Sequence, residues 1–259
     1  MFDFFRVRNA QPLFLNEHLD RFYQSAAEMH MDITMSRQQL KSVVNSLLNR
    51  NNAQDCGIRL TLTGGYSSDG YQLSSPNLII SQHLFSLPSK EQYDKGISLM
   101  LHEHQRQLPQ VKTIDYLMAI WLQPELKKHE ADDILYHRDG LISECPRANI
   151  FMVSGNGRLV TPREHILKGI TRHHILALAK EVCEVEERAI DWNELKNAKE
   201  VFITSSTKKI LPVCRINNIT YPSQRPVSKA LSLLFDRMEA DYAVDNAQET
   251  KQSVKEIPH

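Results

Sequence analysis

The hydrophobic positions near the start of the chain follow a helical period in two segments and a strand period in several others. One helix is predicted after Asn16, which can cap it, and a second after Ser36, which forms a capping box with Gln39. Strands are predicted where apolar residues alternate with polar ones or form short runs: residues 2–8, 13–15, 58–63, 77–83 and 97–101. Two helices among these strands predict a small α+β domain over residues 1–103.

A polar, proline-interrupted segment follows, and we interpret residues 104–110 as a linker between domains. Residues 111–242 then predict a larger, strand-rich α/β domain, in which Asp139-Gly140 and Gly155-Asn156-Gly157 mark two hairpins. Three helices are predicted in it: one after Lys112, one from Thr171 and one over residues 227–238. Residues 243–259 are polar and predict a tail. The fold class is therefore α+β, in two domains.

The helix after Lys112 is expected to turn its apolar residues inward and to end or kink at Pro124. These apolar residues are Ile114, Leu117, Met118, Trp121 and Leu122. The expectation depends on their helical spacing alone.

The composition narrows the classes of function. Lys and Arg number 31 and Asp and Glu number 31, so the net charge is zero and nothing favours nucleic acid or an anionic membrane as partner. No apolar run approaches the ~20 residues of a membrane-spanning helix, and no signal peptide is recognised. The four cysteines are scattered without a CxxC pair, which is typical of reduced thiols in a cytoplasmic protein.

Common nucleotide-binding and hydrolase motifs are missing from the sequence. It contains no GxGxxG after a strand, no GxxxxGK(S/T), no GxSxG and no HExxH, which excludes the commonest oxidoreductases, NTPases and serine hydrolases. The histidines of His102-Glu103-His104 and His173-His174 have too few convergent partners for a zinc site. We therefore predict no metal.

Candidate ligand groups concentrate in residues 141–176. Glu144 ends a predicted strand, and Gly169-Ile170-Thr171 opens a helix whose N–H groups and hydroxyl can hold an anion. Ser205-Ser206-Thr207 follows another apolar strand, a usual place for ligand groups. Each has an ordinary alternative when taken alone: a surface glutamate, a capped helix, a polar turn. Lys112 likewise is by itself most simply a surface lysine.

Five segments together resemble the class IV (fold-type IV) pyridoxal-phosphate (PLP) enzymes, which include branched-chain and D-amino-acid aminotransferases and 4-amino-4-deoxychorismate lyases. In chain order they are EHLDRFYQSA, VKTIDYL, SECPRANIF, LKGITR and VFITSSTKKILPV. The resemblance covers about residues 2–220, and the run 141–172 is its most specific part. The resemblance implies a two-domain fold-type IV structure, PLP as cofactor, amino-acid and 2-oxo-acid substrates, and a homodimer with active sites near the domain junction.

The resemblance also implies a role for each matched position. Lys112 matches the Schiff-base lysine, which bonds to PLP and then moves the Cα proton. Glu144 matches the carboxylate that pairs with the pyridine nitrogen and keeps it protonated. The matched phosphate ligands are Arg21, Ile170, Thr171 and Ser206.

The substrate side is less defined. D-amino-acid aminotransferases carry an arginine and a histidine where this chain has Asp69 and Tyr71, so a strict D-alanine enzyme is not expected. The candidates to contact the substrate or hold its carboxylate are Phe2, Arg6, Arg8, Tyr71, Arg106 and Arg147.

Three functions remain open on these residues. VKTIDYL resembles the transaminase lysine segment, which favours transamination, whereas Cys145 and Gly70-Tyr71 resemble the lyases. A PLP-binding relative without turnover is the third, because family members have about two more strands before Phe2-Asp3. That difference has three explanations: a misplaced start site, a cut chain or a smaller N-terminal sheet.

Overall fold

The computed structural model describes residues 1–255, with side chains described as far as residue 246. Contacts divide the chain into two compact units. The first unit holds Met1–Phe85, Val111–Ile114 and the residues from Asp236 onward, and the second holds Ser86–Gln110 and Asp115–Phe235. These bounds differ from the predicted domains, 1–103 and 111–242, with their linker at 104–110.

The first unit is a four-stranded antiparallel sheet in the order β2-β1-β3-β4 with two helices. Its elements are β1 (Phe2–Arg8), β2 (Gln11–Pro12), α1 (Leu15–Glu28), α2 (Arg37–Arg50), β3 (Cys56–Thr63) and β4 (Asn77–His83). The capping box of Ser36 and Gln39 is confirmed at the start of α2. Buried side chains of α1, α2, β1 and β3 form one hydrophobic core, as their periodicity predicts.

The entry to α1 corrects two predictions. Residues 13–15 do not form a strand, because Phe14 takes a left-handed conformation (φ 54°) that turns the chain directly into the helix. Asn16, predicted as the cap, therefore lies inside the first turn of α1, and no side chain caps it.

The second unit is built on a ten-stranded mixed sheet whose main order is β11-β10-β9-β12-β13-β5-β6-β7. Its strands are β5 (Ile97–Glu103), β6 (Asp133–Arg138), β7 (Leu141–Ile142), β8 (Glu144–Cys145), β9 (Ala148–Val153), β10 (Leu159–Thr161), β11 (Val185–Glu187), β12 (Glu200–Ser205), β13 (Lys209–Ile216) and β14 (Ile219–Thr220). The predicted hairpins are confirmed between β6 and β7 and between β9 and β10. β5 belongs to this sheet because it pairs in parallel with β6 and β13.

The helices of the second unit are α3 (Lys90–Lys95), α4 (Leu117–Trp121), α5 (Gln123–Lys128), α6 (Ile170–Ala179), α7 (Trp192–Leu195) and the beginning of α8 (Pro226–Lys255). The single inward-facing helix predicted after Lys112 is wrong. The chain instead makes α4 and α5, with Pro124 in the first turn of α5, where its missing N–H costs no helical bond. Leu117 and Trp121 are 75% and 68% exposed, and of the predicted inward residues Leu122 alone is fully buried.

The last helix, α8, is much longer than the predicted 227–238. Within the first unit, Tyr242 packs its ring on Phe14 with centroids 4.8 Å apart, and Glu239 forms a buried ion pair with Arg6. These contacts give the helix partners beyond residue 238. The predicted polar tail, 243–259, is helical as far as Lys255, and residues 256–259 lie outside the described part of the chain.

All four cysteines are free thiols. In the part of the chain that the structure describes, no helix combines the length and apolarity needed to cross a membrane.

Candidate active site

Glu144 is a buried carboxylate surrounded by hydrogen-bond donors of the second unit. Its side chain is 5% exposed, and Arg106 donates to Oε1 from Nε at 2.9 Å and from Nη2 at 2.7 Å. The backbone N–H of Leu167 donates to Oε2 at 2.9 Å, and Asn149 Nδ2 lies 3.4 Å from the same oxygen. A buried carboxylate needs such compensation. Glu144 is thus held as an oriented anion that can accept a further proton-bearing group.

The helix that follows starts close to this carboxylate. α6 has Gly169 as its N-cap, and a Cβ at that position would overlap Asn149 Oδ1. Only glycine allows this close approach. The Asn149 amide also donates to the carbonyl of Leu167 at 2.7 Å, so one side chain connects Glu144 to the start of α6. Ile170 and Thr171, the predicted phosphate ligands, occupy the first turn, where the helix dipole favours an anion.

A third side chain joins this row across the sheet. Asn149 of β9 lies opposite Glu144 of β8 and opposite Thr204 of β12, so the three side chains stand on one face. Thr204 is buried, and its Oγ1 has no hydrogen-bond partner among the described residues. Ser206, the predicted hydroxyl ligand, follows in the half-buried turn after β12.

This donor set fits a phosphorylated pyridine cofactor. The unsatisfied buried hydroxyl of Thr204 and the Glu144 carboxylate lie on either side of Asn149 on one face of the sheet, and the helix start at Gly169 approaches the same Asn149. The helix start suits a phosphate and the carboxylate suits a protonated ring nitrogen. No cluster of three or more His, Cys, Asp or Glu side chains among the described residues could bind a metal ion.

Lys112 lies in the first unit, beside Phe2 of β1. Its Nζ is 4.7 Å from the centroid of the Phe2 ring, and its carbonyl oxygen accepts a hydrogen bond from the Phe2 N–H at 2.9 Å. The guanidinium of Arg59 lies over the same ring, with Cζ 4.5 Å from the centroid. Phe2 therefore contacts two cationic groups, an arrangement that the ring quadrupole stabilises.

Arg21, the predicted phosphate ligand, is oriented by a buried carboxylate in the first unit. Its Nε donates to Asp3 Oδ2 at 2.8 Å and its Nη2 to Oδ1 at 2.9 Å, while His18 Nδ1 lies 2.7 Å from Oδ1. Burial by itself raises the pKa of Asp3, but Arg21 and His18 outweigh it, so the pKa lies below its usual range. Burial lowers the pKa of His18, and Asp3 offsets this in part.

The substrate candidates lie in different surroundings. Arg6 and Arg106 are buried in ion pairs with Glu239 and Glu144, and Arg106 Nη2 also donates to the Pro109 carbonyl at 2.6 Å. A guanidinium committed to a buried carboxylate is a poor receptor for a second one. The other candidates are Phe2, buried beside Lys112, Arg8, half-buried, and two exposed residues, Tyr71 and Arg147.

Several residues at these sites were missed by the sequence interpretation: Asp3, His18, Arg59, Asn149 and Thr204. Two carried a usable signal. His18 stands three residues before Arg21 on a predicted helix, so both lie on one face. Asn149 lies within SECPRANIF, after the turn that follows the predicted carboxylate, Glu144.

Comparison with known proteins gives a consistent result. The family model described as "Amino-transferase class IV" matches residues 1–216. A D-alanine aminotransferase from Bacillus licheniformis is 32% identical over 232 residues, which cover 87% of this chain and 82% of that protein. Two solved structures superpose with a TM-score of 0.84. A putative 4-amino-4-deoxychorismate lyase from Legionella pneumophila is 26% identical, with 92% of this chain and 90% of the other covered. The branched-chain amino acid aminotransferase of Escherichia coli is 25% identical, with 92% and 85% covered.

Proposed function

The chain belongs to the class IV aminotransferase family, whose members depend on PLP, and from this premise we propose that it transfers an amino group between an amino acid and a 2-oxo acid. PLP, when bound, withdraws electrons from the substrate Cα through its protonated ring. The observation that carries the proposal is Glu144, a buried carboxylate oriented by four donors beside a glycine-lined helix start.

Lys112 is proposed as the Schiff-base lysine and proton shuttle. Its Nζ would hold the cofactor and, once freed from it, would move the proton at the substrate Cα. Two contacts support this role, since Phe2 holds the Lys112 carbonyl through its N–H and the Lys112 amine against its ring. An amine held in one direction transfers a proton more effectively than a mobile one.

Glu144 is proposed to hold the proton on the cofactor's ring nitrogen. Arg106 and the Leu167 N–H keep its carboxylate anionic and fix its orientation, which is what a pyridinium partner requires. Arg21, the first turn of α6 with Ile170 and Thr171, and Ser206 are proposed to bind the phosphate.

Arg59 is proposed to receive the substrate carboxylate, in place of Arg6 and Arg106. It lies over the same Phe2 ring as the Lys112 amine, and its buried Nε has no hydrogen-bond partner in the described part of the chain. Arg59→Gln is expected to raise the KM for amino acids strongly while PLP affinity stays within about twofold. Unchanged KM values for every amino acid tested would remove Arg59 from this role.

We propose that two copies associate, and that the enzyme acts in the cytoplasm as its free thiols suggest. The support for association is the apolar surface of α4, where Leu117, Ile120 and Trp121 are exposed on a helix of five residues. Such a patch is typical of an interaction surface.

The test of transamination uses the cofactor's colour. The protein incubated with PLP should absorb visible light, and Lys112→Ala should abolish that band while retaining the fold. Single amino acids added to the wild type should bleach the band in a half-reaction, and a 2-oxo acid should restore it. A wild type that stays colourless with PLP would rule out the cofactor and the function together.

A second function, 4-amino-4-deoxychorismate lyase, is kept because the Legionella structure superposes as well as the aminotransferase does. The lyase uses the same lysine and cofactor but needs no acceptor. Release of 4-aminobenzoate from aminodeoxychorismate without any 2-oxo acid would select it. Bound PLP that no amino acid and no aminodeoxychorismate can alter would instead select a non-catalytic relative.

A further inference from the structure

We propose that Asp3, braced by His18, is a positioning residue for Arg21 and thereby sets the affinity of the first unit for the phosphate of its cofactor. The inference rests on the proposed cofactor role of Arg21. It assigns a task to two residues for which the sequence suggested none.

The geometry of the three side chains leaves Arg21 little freedom. Asp3 is fully buried near the start of β1, and its two oxygens meet Nε and Nη2 of Arg21 in a bidentate pair at 2.8 and 2.9 Å. Because the guanidinium is planar, two parallel hydrogen bonds fix both its plane and the direction of its opposite edge. The carboxylate is itself fixed, since Oδ1 also contacts His18 Nδ1 and accepts from the Phe4 N–H, each at 2.7 Å.

The charges of these side chains allow the positioning role of Asp3 to be tested. Burial lowers the pKa of His18, so at neutral pH its ring is uncharged and its Nδ1–H donates to Asp3. The cluster then carries one negative charge on Asp3 and one positive charge on Arg21. The charge of Asp3 opposes the approach of any anion to Arg21, so Asp3 can strengthen phosphate binding through orientation alone. If orientation dominates, a variant that removes the charge of Asp3 should bind phosphate more weakly. If charge dominates, the same variant should bind phosphate more tightly.

Orientation should dominate, because the anion meets Arg21 first and Asp3 lies behind the guanidinium. An arginine without its bidentate partner must instead fix its rotatable bonds when the anion binds. We expect Asp3→Asn to weaken PLP binding by about tenfold or more, the scale of one charge-assisted hydrogen bond. Pyridoxal, which lacks the phosphate, should change by less than about twofold. Equilibrium dialysis of both compounds against the full chain gives the ratio.

A matched control separates positioning from stability. Glu239→Gln removes another buried carboxylate paired with an arginine of the same unit, Arg6. It should lower the melting temperature comparably and leave the PLP-to-pyridoxal preference unchanged. Asp3→Asn with an unchanged or increased preference for PLP would overturn the proposal.

Two further variants keep the test decisive. In an Arg21→Gln background the effect of Asp3→Asn on PLP affinity should disappear, because Asp3 acts through Arg21. Should Asp3→Asn fail to fold, His18→Phe removes the Nδ1 donor but keeps a ring against Phe5, and it should shift the preference in the same direction by a smaller factor. A wild type without PLP affinity would refute the cofactor function itself. Normal binding in the wild type, a loss in Arg21→Gln and none in Asp3→Asn or His18→Phe would refute the positioning role alone.

Discussion

Arg106 donates two hydrogen bonds to a single oxygen of Glu144, and both side chains are almost entirely buried. Arg106 is the counterion of the one carboxylate that the proposed chemistry needs in its charged form, Glu144. The pairing also commits the Arg106 guanidinium to a carboxylate of the protein itself.

Replacement of Arg106 by Gln should be strongly destabilising. It leaves Glu144 as a buried charge without a counterion, which costs about 3–5 kcal/mol of unfolding free energy. Urea denaturation at neutral pH measures the loss. Arg138→Gln is the control, because Arg138 pairs with Asp139 at the surface and should contribute at most ~0.5 kcal/mol. Equal costs for the two variants would contradict this account of the Glu144 site.

Gly169→Ala should disrupt the start of α6. The added methyl group would overlap Asn149 Oδ1, so either the helix start or the amide must move, at a cost of about 1–3 kcal/mol. PLP affinity should fall as well, because the backbone N–H groups proposed to bind the phosphate would shift. Gly155→Ala in the β9–β10 hairpin is matched to it, because a Cβ there meets nothing within 4 Å and should leave both quantities unchanged.

The stability of the protein should depend on pH through His18. The folded-state pKa of His18 is lowered by burial, so the unfolded chain binds a proton more readily than the folded one. The stability that the neutral His18 ring contributes is therefore present above the pKa of the unfolded chain, about 6.5. It is lost as the pH falls toward the lower folded pKa, by at most ~1.4 kcal/mol per pH unit.

The measurement compares wild type and His18→Phe by urea denaturation at several pH values between 5 and 7. The variant should show the shallower dependence, because Phe cannot take up a proton. His83→Phe, at a surface histidine of the same unit, should keep the wild-type slope. A wild-type slope in His18→Phe would mean that burial does not lower the pKa of His18 in the folded protein.

The exposed face of α4 should mediate self-association. Trp121→Glu places a charge on a patch that includes Leu117 and Ile120, and it should shift a dimer to monomer in sedimentation while the melting temperature stays nearly unchanged. Leu233→Glu, at an exposed leucine of α8, serves as the control and should leave the dimer intact. A wild type that sediments as a monomer at every concentration would refute the proposal.

The sequence predicted those features that local chemistry decides. The capping box at Ser36, the Asp139-Gly140 turn and the fold class follow from short-range rules, and they are confirmed. The helix after Lys112 was predicted inward because its apolar spacing is helical, but spacing cannot tell a core face from an exposed one. The left-handed turn at Phe14 has no glycine or asparagine to announce it.

The partners of the site residues could not be predicted for a different reason. Arg106 and Glu144 are 38 residues apart, and the pairing of Arg21 with Asp3 depends on the packing of α1 against β1. No sequence motif encodes either pairing. The sequence interpretation took Arg106 as a substrate candidate because a guanidinium suits a carboxylate. In the structure its carboxylate partner is Glu144 of the protein itself.

The ion pair between Arg6 and Glu239 joins positions 233 residues apart, and Phe14 meets Tyr242 in the same unit. During synthesis the first unit therefore stays incomplete until Glu239 and Tyr242 have left the ribosome, although its sheet is translated before the second unit. The second unit is contained within residues 86–235 and can finish earlier. A nascent chain arrested before residue 239 should thus expose an unfinished amino-terminal sheet to chaperones and proteases, and such contacts of high sequence separation are slow to form.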